Sequence, residues 1–78
     1  MPTVLERLTA DPDFAALLAE YDAADAARAQ LEAASAWASP AWHKAVELAS
    51  RQYRALLRRC DQLDPIAAAG LGLLLDLR

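Results

Sequence analysis

Cys60, His43 and the scattered carboxylates are the residues of this chain that could do covalent or metal chemistry, and their number and spacing argue against both. A nucleophilic centre needs a thiol or hydroxyl beside a base that a third group orients. Cys60 is expected inside an apolar helical seam, nearly a helix length from the single histidine, His43, which is expected in contact with Glu32. One histidine and one cysteine do not supply the donors of a zinc centre. The 78 residues hold no glycine-rich phosphate loop, no zinc-type spacing and no paired catalytic carboxylates. No catalytic, cofactor-binding or metal-binding residue is assigned, no cofactor is expected, and the chain is not expected to be an enzyme.

Arg51, Arg54, Arg58 and Arg59 form the one basic cluster, the residue type that neutralises a phosphate backbone. Glu47 and Asp61 flank it, and Glu20 is expected beside Arg59. No aromatic residue accompanies the arginines for base stacking, and the net charge of −3 opposes a general polyanion binder. Nucleic acid is the lesser expectation, in the form of an RNA-binding helical-hairpin dimer using these four arginines. Trp37 and Trp42 cluster elsewhere, where they are expected to close one end of a hairpin.

The elements that must position these groups are announced by three dipeptides. Asp11-Pro12, Ser39-Pro40 and Asp64-Pro65 each join an N-cap residue to the first helical position, where the missing N–H of proline would have had no partner. Thr3 and Glu6 have capping-box spacing. The chain therefore reads as one all-α domain over residues 1–78, with helices over 4–10, 12–36 and 40–63 and an apolar helix or tail over 65–78.

In the second helix Phe14, Leu17, Tyr21, Ala24, Arg28, Leu31 and Ser35 recur in steps of three and four. The third helix carries Trp42, Val46, Ala49, Tyr53, Leu56, Cys60 and Leu63 in the reverse order of steps. Folding at residues 37–39 sets the two series face to face as an antiparallel hairpin, Phe14 with Leu63, Leu17 with Cys60, Tyr21 with Leu56, Ala24 with Tyr53, Leu31 with Val46 and Ser35 with Trp42. Arg28 faces Ala49, its stem lying in the seam and its guanidinium reaching Asp25 or Glu32. Leu18 is expected near Leu57.

Asp11-Pro12, Phe14, Leu17 and Glu20-Tyr21 resemble the opening of the first long helix in the YdcH-like small helical-hairpin proteins of bacteria. The similarity spans residues 11–64; the corner over 37–42 and the apolar tail depart from it. It implies the hairpin fold and no activity.

The hairpin cannot bury all of the apolar residues flanking it. Val4, Leu5 and Leu8 at one end and Ile66, Leu71, Leu73, Leu74, Leu75 and Leu77 at the other exceed what a soluble monomer leaves exposed. Either the termini fold back near Phe14, Leu18, Leu57 and Leu63, or they meet in a dimer, with Gly70 and Gly72 interrupting the last helix and freeing 73–78 to dock. The second helix also bears a face of alanines, among them Ala15, Ala19 and Ala26. A homodimer is expected, with Ala15, Ala19, Ala26, Leu71, Leu74 and Leu75 as interface candidates. The longest apolar run, 65–75, is short of the roughly 20 residues that span a bilayer, so no membrane partner is expected. One cysteine excludes an intramolecular disulfide and fits a reducing cytoplasm. Arginine over lysine and abundant alanine suit a high-GC bacterial or phage genome. The reading is a small cytoplasmic protein-interaction module, of the kind phages and mobile elements use as regulators or inhibitors of a larger protein.

Overall fold

Four side-chain caps start four of the five helices in this computed structural model, which describes all 78 residues. Thr3 Oγ1 accepts from the backbone N–H of Glu6 at 3.1 Å, Asp11 Oδ2 from Phe14 at 2.9 Å, Ser39 Oγ from Trp42 at 3.2 Å and Asp64 Oδ1 from Ala67 at 3.1 Å. They open α1 (Val4–Thr9), α2 (Pro12–Ala33), α3 (Pro40–Leu63) and α4 (Pro65–Ala69), and α5 (Leu71–Asp76) follows; there is no strand. Every helix start read from the sequence holds, because cap and proline together satisfy the first turn locally, whatever packs around it.

The ends depart from expectation in two places. Helix α2 stops at Ala33, short of Ala36, because Ser35 turns into the left-handed region at φ 59°. The N–H of Ala36 then donates to the carbonyl of Leu31 at 2.8 Å and that of Ser35 to Glu32 at 3.0 Å, the paired bonds of a Schellman turn. Ala38 also lies at φ 59°, so two non-glycine residues reverse the chain between α2 and α3. The last segment, 65–78, is interrupted once, at Gly70 rather than at Gly70 and Gly72: Gly72 lies inside α5, where an added Cβ would come within 3.2 Å of the Tyr53 hydroxyl.

Helices α2 and α3, of 22 and 24 residues, pack antiparallel and set the long dimension of a 41 × 21 × 20 Å molecule. Toward the corner the seam is lined by small buried residues, Ala24, Ala45 and Ala49, and the rings of Trp37 and Trp42 stand 6.0 Å apart at its end. At the open end the core is thicker. Phe14, Leu18, Leu56 and Cys60 are joined there by Leu8 of α1, Ala67 of α4 and Leu71 and Leu75 of α5. The termini therefore fold back over their own hairpin. Arg78 fixes the last residue to the middle of α2, donating to both Asp22 carboxylate oxygens at 2.7 and 2.9 Å.

One of the contacts expected across the hairpin is replaced by another. Arg59 does not turn to Glu20; it bonds both oxygens of Asp11 at 2.7 and 2.9 Å, because the antiparallel hairpin sets the N-cap of α2 beside the last turns of α3. Leu63, expected against Phe14, is 40% exposed, while Phe14 is fully enclosed. The Tyr21 ring meets Tyr53 at 5.9 Å, one turn from Leu56, and all three residues belong to the same core.

Candidate functional site

The thiol of Cys60 is fully buried among Phe14, Leu18 and Leu56, and burial, with Asp64 and Asp61 adding to it, pushes it above the usual range. A thiol so placed is neither ionised nor reachable. His43 stands on the exposed first turn of α3 with its ring edge-on to Trp42 at 5.1 Å, and Glu32 bonds Arg28 instead of meeting it. No group of three His, Cys, Asp or Glu side chains comes together in a way that could hold a metal ion.

The arginines divide. Arg28 lies across the seam as expected and bonds both Asp25, at 2.9 Å, and Glu32. Arg59 is held by Asp11, with Asp13 at 3.9 Å and Gln62 accepting a further bond. The Arg59 guanidinium, seconded by the Phe14 N–H, lowers the Asp11 carboxyl from 3.8 to about 2. That leaves Arg51, Arg54 and Arg58 exposed and without an ion pair on the outer face of α3. Arg54 and Arg28 border an open groove of about 380 Å³ with Tyr21 and Tyr53, but the two carboxylates on Arg28 cancel the positive field there. Arg51, Arg54 and Arg58 form a solvated helix face on which Tyr21 and Tyr53, half-buried beside Arg54, are the aromatic neighbours, a poor platform for single-stranded bases.

The residues expected at a protein interface also divide. Leu71 and Leu75, 1% and 8% exposed, are core residues of their own chain, and the reason is their spacing: i and i+4 on α5 put both on the side that meets the hairpin. Leu74 is half-buried against that core. Ala19 and Ala26 are exposed on α2, and Ala15 is half-buried.

The other side of α5 carries the opposite pair. Leu73 and Leu77, again i and i+4 with Leu77 the C-cap just past the helix, are 65% and 73% exposed, and Ile66 of α4 is 88% exposed. With Val4 of α1 they line an open groove of about 410 Å³ at the end of the molecule where both termini converge, and Arg7 and Asp64 stand at its rim. The sequence held the signal for this division: 71 and 75 against 73 and 77 is a helical two-face pattern, readable once α5 is known to be helical. Which face turns inward depended on the fold-back. Ile66, Leu73 and Leu77 are the largest cluster of exposed apolar side chains, and nothing within the chain covers them.

Comparison with family models, curated proteins and solved structures finds no match to this chain.

Proposed function

We propose that this chain is a small protein-interaction module whose docking surface is the groove lined by Val4, Ile66, Leu73 and Leu77. One observation carries the reading: three large aliphatic side chains, each more than three-fifths exposed, converge on one concave surface instead of being scattered singly. Leucine and isoleucine at neighbouring exposed positions cost solubility unless another surface covers them. A concave apolar patch with a charged rim is also the composition of the centre of a protein interface. The buried thiol and the paired arginines offer no comparable concentration of unsatisfied groups.

The test is capture from extracts of the native host with the immobilised chain, comparing the unmodified protein with Ile66→Glu/Leu73→Glu. Both positions are exposed, so the variant is expected to keep its helical content and stability. A protein partner retained by the first and lost by the second supports the reading. Capture that is unchanged by the two glutamates overturns it. Captured RNA that washes off steeply between low and physiological salt would instead assign function to Arg51, Arg54 and Arg58.

A further inference from the structure

We infer that the partner the groove fits is a second copy of this chain, related by a two-fold axis that passes between Arg7 and Asp64. The inference rests on the proposed docking role of the groove and adds the identity and geometry of its occupant. Arg7 and Asp64 both border the groove, and neither takes part in an ion pair within the chain. Asp64 spends Oδ1 on the N–H of Ala67, which leaves Oδ2 free, and none of the Arg7 guanidinium donors is bonded.

A two-fold contact uses the same patch on both subunits, so the patch must complement itself. An apolar surface with one cation and one anion at its rim does so. Rotation about an axis between the two charges sets Arg7 of each subunit against the partner's Asp64 and lays the exposed leucines of the two chains together. An unlike protein would need the same apolar strip with the charges reversed; a second copy supplies that by symmetry. The alanine face of α2 has no such pair of unmatched charges and no bulky side chain left in water, so Ala19 and Ala26 stay outside this interface.

Charge reversal tests this without knowledge of any other partner. Sedimentation velocity of the purified full chain at about 5 to 100 μM, a range that brackets a modest interface, is expected to show a dimer at the upper end. Arg7→Glu alone places two carboxylates together at both symmetry-related contacts, and Asp64→Lys alone places two cations there. Each is expected to weaken association about tenfold or more, whereas an equimolar mixture of the two variants recreates both pairs and restores the dimer. Circular dichroism verifies folding. Because Asp64 also caps α4, Asp64→Asn, which keeps a capping oxygen and removes the charge, is the companion variant and is expected to weaken the dimer as well.

A dimer restored in the mixture supports the inference. If the dimer is broken by Ile66→Glu/Leu73→Glu but indifferent to Arg7 and Asp64, the two-fold geometry is overturned while the docking role of the groove stands. An unmodified chain that is monomeric at about 100 μM overturns self-association and leaves the groove to an unlike protein. A dimer indifferent to all four positions overturns both the inference and the groove's role.

Discussion

Ser35 shows what a single backbone angle does here. Its φ of 59° ends α2 and lets Ala36 and Ser35 satisfy the last carbonyls of the helix, yet an L-residue in that region carries a steric cost that glycine avoids. Ser35→Gly is therefore expected to stabilise the chain by about 0.5 to 1 kcal/mol, net of glycine's greater freedom when unfolded, as a rise in the thermal midpoint. Ser39 works in the other direction. Its hydroxyl accepts from Trp42 and donates to the Ala36 carbonyl, tying the corner to the start of α3, so Ser39→Ala should cost about 1 kcal/mol in chemical denaturation. Asp11 gives the fold its acid sensitivity. Its folded pKa of about 2 lies below the ordinary 3.8, so the ionised carboxylate is favoured in the folded state. The stability it contributes is complete above about pH 4 and is lost as pH falls toward 2. Arg78 lowers Asp22 in the same direction. Thermal midpoints measured from pH 5 to pH 2 should fall across that window, and Arg59→Gln should flatten the fall.

At the scale of elements, caps and seam were legible and ends and partners were not. Asp11-Pro12, Ser39-Pro40 and Asp64-Pro65 act on their own first turns, so the starts needed no knowledge of the fold. The α2 terminus at Ala33 escaped because the Schellman turn uses serine where glycine would have announced it. Arg59 escaped because its partner, 48 residues away, is the cap carboxylate ahead of α2, outside the seam series that set the register. The two faces of α5 make the sharpest test of this packing. Leu71→Ala, in the core, should cost about 2 to 5 kcal/mol, while Leu73→Ala, in the groove, should stay within about 0.5 kcal/mol in dilute solution. Equal costs at the two positions, measured by urea denaturation, would mean that α5 sits in a different orientation.

For the whole molecule, the termini serve two ends at once. Leu8, Ala67, Leu71 and Leu75 thicken a core that two helices alone would leave thin, which matters in a chain of 78 residues. The residues that do not fit inside, Ile66, Leu73 and Leu77, gather at the same end and form an apolar concavity with an unmatched cation and anion beside it. Of this surface the sequence disclosed the excess of terminal leucines but not their division. Leu71 and Leu75, expected at an interface, went inside, and their neighbours two residues on stayed out. The measurement that tests the account most directly is amide chemical-shift mapping of the labelled chain on dilution from about 500 to about 10 μM, a span that covers the dissociation of a modest dimer. Concentration-dependent shifts are expected at Val4, Arg7, Asp64, Ile66, Leu73 and Leu77, with Ala19 and Ala26 unmoved. Shifts confined to the alanine face of α2, or none anywhere on the chain, would contradict it.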